Sequence, residues 1–186
     1  MPIFGITASA VESAPKGFHS IATTTLSGNQ LQIDFDNIPQ TFKHLQIRAL
    51  VRNSEATTDS ETTFRFNDDS GTNYSTHYFR GYQVGVDSGN TTSRAKGRAG
   101  YNPGSSSNAN VFGVWIMDIL DYKNTNMFKT TRTMNGYNNN GNGAVWVISS
   151  NWRSTSAITK ISLTADNQAG RNFVQYSSFA LYGIEG

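Results

Sequence analysis

The residues of this chain that could support chemistry are few, and two short acidic segments contain the best candidates. Residues 67–70, in "NDDSGTN", offer the hard oxygen atoms that Ca²⁺ prefers, and they lie beside a glycine. The alternate-position spacing of a calcium loop and its final bidentate glutamate are missing, and Asp-Ser-Gly is also typical of a turn. Asp34 and Asp36 share one face of a predicted strand, as a glycosidase pair could, although neighbouring surface acids are common. For residues 67–70 we favour a hairpin turn over a calcium site. For Asp34 and Asp36 we favour two surface acids over a catalytic pair.

Other catalytic arrangements find no support in the sequence. His19, His44 and His77 do not pair with a further ligand at a recognisable metal-binding spacing, so we expect structural or surface roles for them. The chain has no cysteine, which excludes thiol nucleophiles, disulfides and cysteine zinc sites. Phosphate-binding, dinucleotide, zinc-protease and G-x-S-x-G motifs are absent from the sequence. We therefore expect a protein that is not an enzyme and that needs no metal or cofactor.

Aromatic residues set among Asn, Ser and Thr suggest sugar binding, because aromatic faces stack on sugar rings and amides bond to hydroxyl groups. Most aromatic side chains of a β-protein belong to its core or to interfaces. Tyr101 and Tyr137 fall in Gly/Asn-rich segments, residues 87–110 and 135–143, with little apolar sequence around them. We therefore expect both tyrosines in exposed loops, as possible glycan contacts.

The composition of the chain limits the classes of partner that we expect it to bind. Charged residues make up 15% of the 186 residues, and the formal charge is +2, which is too small and too scattered for a nucleic-acid footprint. No apolar run approaches the roughly 18 residues of a membrane span. We expect neither a nucleic-acid partner nor a membrane partner.

Period-two alternation of apolar and polar residues predicts strands along most of the chain. "LQIDFDN" places Leu31, Ile33 and Phe35 on one face, and the segment after Pro39 places Leu45, Ile47, Ala49 and Val51 on one face. "NVFGVWIMDIL" is apolar on both faces, which predicts a strand covered on both sides or a central strand with one face at a subunit interface. Strands recur every 10–20 residues without a helical period, which indicates an antiparallel β-sandwich or barrel.

The two ends of the chain differ in character. The closing segment "VQYSSFALYGIEG" is apolar and aromatic, so we expect it to form a central strand whose loss would unfold the protein. Residues 1–17 contain Pro and Gly but also the apolar Ile3, Phe4, Ile6 and Val11. We interpret them as an extended N-terminal arm, either disordered or docked on a partner through those four side chains, ahead of a single domain over residues 18–186.

Three blocks of the sequence carry a resemblance to a known family. They are "IPQTFKHLQIR", the segment from "ANVFG" through "DILDY" to the following Asn and Lys, and the ending "FVQYSSFALYGI". Together with the intervening sequence, residues 18–186 resemble small virion structural proteins of tailed bacteriophages, especially phages of aquatic and marine bacteria. The resemblance implies a jelly-roll-like sandwich and a location in the virion, and it supplies no catalytic residues.

Two functions of different classes follow as expectations. The first is a capsid decoration (cement) protein, a homo-oligomer that clamps neighbouring subunits of the major capsid protein, with a trimer expected from the local threefold points of a shell. The second is a tail-fibre or tail-tip domain that binds a host-surface glycan. The arm favours the first function, and the Asn-rich, aromatic segments favour the second.

Overall fold

The structure is a computed structural model that describes residues 17–165 and 170–186. Its regular elements are all β-strands, in agreement with the fold class expected from the sequence. The twelve strands are β1 (Phe18–Thr25), β2 (Gln32–Phe35), β3 (His44–Val51), β4 (Asp59–Phe66), β5 (Tyr74–Tyr82), β6 (Gly85–Arg94), β7 (Gly97–Pro103), β8 (Gly113–Ile119), β9 (Lys129–Asn138), β10 (Gly143–Trp152), β11 (Ile161–Ala165) and β12 (Ser178–Ile184).

The strands form two antiparallel sheets that pack as a sandwich. The large sheet has the order β1-β12-β3-β8-β9-β10-β5-β6, and the small sheet has the order β2-β11-β4-β7. When the β5–β6 and β9–β10 hairpins are set aside, successive strands alternate between the two sheets except for β4 and β7, which pair within the small sheet, and the first strand pairs with the last. This wrapping of eight strands is the jelly-roll arrangement. The predicted antiparallel sandwich of jelly-roll type is confirmed.

The two remaining hairpins are insertions that widen the large sheet. The β9–β10 hairpin follows β8 and pairs with it through β9. The β5–β6 hairpin leaves the small sheet after β4 and joins β10 through β5. The inserted hairpins therefore lie side by side and form one half of the large sheet, and β7 of the small sheet packs against their strands β9 and β10.

The core lies between the sheets and follows the predicted alternation. Leu45, Ile47, Ala49 and Val51 on β3 are all buried, as are Ile33 and Phe35 on β2. They pack with Phe64 and Phe66 of β4 and Trp115 of β8 in one continuous cluster. The prediction for Leu31 was wrong, because β2 begins only at Gln32 and the side chain of Leu31 is exposed.

The last strand lies inside the large sheet, as its apolar sequence predicted. β12 is hydrogen-bonded to β1 on one side and to β3 on the other. Phe179 and Leu181 are fully buried, and the ring of Phe179 packs edge-on against Phe173 at 4.8 Å. A strand with partners on both sides cannot detach without opening the ladder and the core.

The interpretation of residues 87–110 as a long loop was wrong. Most of the segment forms β6 and β7, which pair with β5 and β4 respectively. Its glycines have little intrinsic strand preference, but two of them are required by close packing. A side chain at Gly97 would overlap the ring of Phe64, and one at Gly100 would crowd the amide of Asn135. Tertiary contacts thus decide the conformation of this segment.

The predicted N-terminal arm lies almost entirely outside the described residues. Its four candidate docking residues, Ile3, Phe4, Ile6 and Val11, are not among them. Gly17 is the first residue that the structure describes, and it leads directly into β1 at one edge of the large sheet.

Candidate binding surfaces

The acidic segment at residues 67–70 contains a turn, as favoured from the sequence, but it is not a hairpin turn, because the flanking strands β4 and β5 lie in different sheets. Asn67 and Asp68 both have positive φ angles, 51° and 57°, a conformation that Asn and Asp tolerate in tight turns. The carboxylate of Asp69 accepts hydrogen bonds from the backbone N–H of Gly71, from Asn73 Nδ2 at 2.9 Å and from Trp152 Nε1 at 2.6 Å. These donors hold the pKa of Asp69 below its usual range although desolvation opposes them.

Asp34 and Asp36 are surface acids arranged around a lysine. The Nζ atom of Lys160 lies 4.0 Å from Asp34, 3.5 Å from Asp36 and 3.1 Å from Asp68. Asp34 also accepts two hydrogen bonds from the amide of Gln32. Within the described residues no group of three or more acidic or histidine side chains is arranged to hold a metal ion.

The histidines occupy structural and surface positions. His19 Nε2 lies 3.1 Å from Glu185 on the edge pair β1–β12, and His44 Nδ1 accepts a hydrogen bond from the backbone N–H of Asp121 at 3.0 Å. His77 is exposed on β5. The three side chains are carried by different parts of the large sheet, so they do not form a common site.

The outer face of the large sheet carries a continuous band of exposed apolar side chains, which we call the apolar band. Strand register places Ile116 beside Met134, Met134 beside Val147 and Val147 beside Phe79 in one row across four strands. A second row begins with Leu50 beside Val114 and continues through Gly136 to Val145. The seven side chains of the band are 40–62% exposed: Leu50, Phe79, Val114, Ile116, Met134, Val145 and Val147.

Polar side chains border the apolar band on one side. Gln46 Nε2 donates to Asp118 at 2.8 Å, and Asp118 also pairs with Arg132 at 3.3 Å across β8 and β9. Beyond this row, the β8–β9 loop adds the exposed side chains of Leu120 and Phe128 around a groove of about 530 Å³. Arg48 belongs to the same border, since it lies beside Ile116 and donates from Nε to Oε1 of Gln46 at 2.8 Å, so the polar margin carries an excess positive charge.

A buried lysine shapes the β8–β9 loop. Lys129 is 1% exposed, and its Nζ donates to the backbone carbonyl oxygens of Asn124, Met127 and Thr155. Desolvation lowers the pKa of this lysine. Neither its burial nor its carbonyl partners could be foreseen from the sequence, because the three acceptors come from two separate loops.

Tyr101 is not in an exposed loop, so that expectation was wrong. It lies on β7, and its ring stacks on Trp146 at a centroid distance of 4.2 Å and an angle of 13°. The guanidinium of Arg98 also approaches the Tyr101 ring, at 5.1 Å. Burial raises the pKa of Tyr101 to about 12. This side chain links the two sheets and has little surface left for a ligand.

A buried ion network supports the same region. Glu61 on β4 accepts hydrogen bonds from Arg94 at 2.7 Å and from Arg98 at 2.9 Å. Burial alone would raise the pKa of Glu61, but the hydrogen bond from Arg94 and the charge of Arg98 outweigh it, so its pKa is lowered. Arg98 then packs against Tyr78 and Tyr101, which fixes the aromatic cluster between the sheets.

Tyr137 is also on a strand, β9, which corrects its expected loop position, but its surroundings differ from those of Tyr101. It packs half-buried against the small cluster of Ala144, Trp146 and Ile148, and it lines an open cleft. Burial raises the pKa of Tyr137 to about 12. The cleft lies where the turns of the two inserted hairpins meet.

The cleft has a volume of about 550 Å³. Its lining residues come from the ends of β5 and β6 and from the β9–β10 turn: Gly81, Tyr82, Gln83, Gly85, Val86, Tyr137, Asn138, Gly141, Asn142, Gly143, Ala144 and Val145. The sequence singled out Tyr137 but not Tyr82, because the pairing of Ala144 with Tyr82 brings together residues more than sixty positions apart.

The burial of β8 distinguishes between the two arrangements that its apolar sequence predicted. Trp115, Met117 and Ile119 are fully buried toward the small sheet, whereas Val114 and Ile116 are exposed. The alternative of a strand covered on both sides within one chain was therefore wrong. Of the two readings, a central strand with one open face is the one that the fold contains.

No part of the described residues forms a helix with the length and apolar character needed to cross a membrane.

Comparisons of the chain with family models, with curated proteins and with solved structures found no match.

Proposed function

We propose that this protein is a structural component of a tailed-phage virion, a decoration protein that clamps neighbouring subunits of the capsid shell. The observation that carries the proposal is the apolar band, seven exposed side chains on one continuous sheet face. Contiguous apolar surface of this kind marks an interaction site. The sequence resemblance to virion structural proteins supports the same assignment.

The occupant of the apolar band in this proposal is a second copy of the same chain. The seven side chains of the band carry no charge, and the adjoining Arg48, Asp118 and Arg132 offer both signs to an identical neighbour. The whole outer face of the large sheet, eight strands at about 4.8 Å spacing and seven residues at about 3.3 Å rise, measures roughly 900 Å², and the apolar band occupies the part of it on β3, β8, β9, β10 and β5. A stable interface needs about 800 Å² per partner. The face of one sheet is therefore large enough for self-association, and a trimer matches the local threefold points of a shell.

The N-terminal arm supplies the contact with the shell in this proposal. Sixteen residues precede Gly17, and an extended chain of that length reaches about 50 Å. Residues 1–15 contain five large apolar side chains, those of Met1, Ile3, Phe4, Ile6 and Val11, and one charged side chain, Glu12, a composition suited to docking on an apolar surface. Repeated weak contacts over a symmetric lattice give persistent attachment through avidity.

Capsid binding by an arm-deleted variant tests the proposal. Capsids assembled without this protein are mixed with the full chain, with a variant lacking residues 1–15, or with the substitution Phe4→Ser, and bound protein is measured after sedimentation. We expect the full chain to bind, the deletion to lose binding while keeping its native circular dichroism, and Phe4→Ser to weaken it. Unchanged occupancy after deletion would remove the clamp mechanism.

A tail-fibre or tail-tip domain is the second candidate, because the cleft between the inserted hairpins combines tyrosines with amides. A tail role predicts that Tyr137→Ala lowers adsorption of phage to host cells without changing particle assembly. A decoration role predicts normal adsorption and particles that lose DNA more readily when this protein is missing.

A further inference from the structure

The cleft between the turns of the inserted hairpins has the features of a carbohydrate site. It lies on the part of the fold that is added to the eight jelly-roll strands, between the β5–β6 turn and the β9–β10 turn. Most of it lies outside the apolar band, and it adjoins the band only at Val145. It therefore represents a second surface, with different chemistry.

All twelve residues that line the cleft are uncharged. The nearest ion pair is closed on itself, since Arg80 donates to both carboxylate oxygens of Asp87 at 2.7 and 2.6 Å. A site without net charge gives no electrostatic gain to a phosphate, a carboxylate or an ammonium group. The lining thus favours a neutral ligand over a charged one.

Two tyrosines provide aromatic surface in the cleft. Tyr82 is 37% exposed, and the guanidinium of Arg80 lies 4.5 Å from its ring centroid, which holds the ring in place. The same guanidinium lies 4.9 Å from the ring of Trp146, beneath the cleft. Tyr137 adds a second, half-buried ring with a protonated hydroxyl group. Preformed aromatic rings cost little entropy when they bind.

Side-chain amides supply polar groups beside these rings. Gln83 and Asn142 are exposed, and among the described residues neither amide is hydrogen-bonded to the protein. Each amide offers two donors and an acceptor to a ligand. Asn138 is partly engaged, since its Oδ1 accepts a weak bond from the N–H of Gly141 at 3.4 Å. Vicinal hydroxyl groups require this mixture of donors and acceptors.

Glycines keep the cleft open. Gly141 has a φ of 93°, which a side chain would strain, and a Cβ atom at Gly143 would overlap the carbonyl oxygen of Tyr137. The turn therefore approaches β9 closely and leaves the surface between the hairpins clear. This geometry suits a shallow, extended ligand.

We propose that this cleft binds a neutral oligosaccharide, with sugar rings stacked on Tyr82 and Tyr137 and hydroxyl groups bonded to Gln83 and Asn142. Binding here is independent of the decoration role and would apply to a head or a tail protein. The lining of the cleft indicates the class of ligand, and the glycan array described below identifies the sugar.

The test is a glycan array that carries neutral hexasaccharides of glucose, mannose and galactose and acidic hexuronates, followed by calorimetric titration with the best neutral hexasaccharide. We expect at least one neutral probe to bind, and Tyr82→Ala and Asn142→Ala each to weaken binding about tenfold, the equivalent of one lost aromatic or hydrogen-bonded contact. Val84→Ala is the matched control, because Val84 is 80% exposed on the same turn but does not line the cleft.

Three results would overturn the proposal: no binding of a neutral probe, binding of acidic probes only, or equal loss of binding in the Val84→Ala control. Oligomeric state, measured on the same samples, separates this proposal from the assembly proposal. A cleft variant that stays oligomeric but no longer binds the sugar supports the carbohydrate proposal without bearing on assembly. A full chain that assembles but binds no sugar overturns the carbohydrate proposal and leaves the assembly proposal standing.

Discussion

A lysine in place of Ile116 should dissociate the proposed oligomer and leave the fold of the single chain intact. Ile116 lies at the β8 end of its row in the apolar band, between Arg48 on β3 and Met134 on β9. Its side chain is 40% exposed in the isolated chain and points away from the core. Because the new ammonium group can reach water in the isolated chain, we expect a change in unfolding free energy of about 1 kcal/mol or less.

The magnitude at the interface follows from the exposure of the band. Its seven side chains still expose about half of their surface, so full burial by a second copy would contribute about 1 kcal/mol each. An ammonium group that is buried without a partner costs several kcal/mol. A loss of about 3 kcal/mol raises the dissociation constant about a hundredfold.

Sedimentation equilibrium over a range of protein concentrations measures this change, with circular dichroism melting as the check on the fold. Leu31→Lys is the matched control, because Leu31 is 46% exposed but lies next to the small sheet, outside the apolar band. We expect the control to associate as the full chain does. A full chain that is monomeric at every concentration, or an Ile116→Lys variant that associates normally, would refute the role of the band.

Three further predictions concern stability. Deletion of residues 177–186 removes β12, which pairs with β1 on one side and β3 on the other, and should abolish cooperative unfolding. A native melting curve for the truncated chain would contradict the central position of this strand. Glu61→Gln leaves two buried guanidinium groups without their carboxylate and should cost about 3–5 kcal/mol in urea unfolding, whereas a loss below about 1 kcal/mol would show that the network is exposed to water. Because the pKa of Glu61 is lowered on folding, its contribution is present above its unfolded pKa and is lost as pH falls through its folded value, so the difference between the full chain and Glu61→Gln should shrink in acid. Gly97→Ala pushes a methyl group into the ring of Phe64 and should cost about 1–3 kcal/mol in the same assay; an unchanged midpoint would mean that the ring can move aside.

Alternation of apolar and polar residues predicted a strand correctly where one face of that strand packs on the core and the other faces solvent. It predicted β3 with its buried face, whereas β8 and β12 were predicted as central strands from the apolar residues on both of their faces. The same rule failed for β6 and β7, whose Gly, Ser and Asn residues have weak strand preference. Those strands form because β5 and β4 provide ladders for them, which is information that a local window does not contain.

The candidate site was only partly predictable for the same reason. Residues in the Asn-rich segments did point to the cleft through Tyr137, but Tyr101 is drawn between the sheets by its stacking on Trp146. Tyr82 was not singled out, because its partner in the cleft comes from a hairpin far along the chain. Side chains that act together across inserted hairpins become visible only when the pairing of β5 with β10 is known.

Gold-labelled antibody imaging of intact phage particles that encode this chain tests the central proposal most directly. Label distributed over the head, and lost from particles made with the variant lacking residues 1–15, is the result that the decoration role predicts. Label confined to the tail, or particles that carry no label at all, would contradict it.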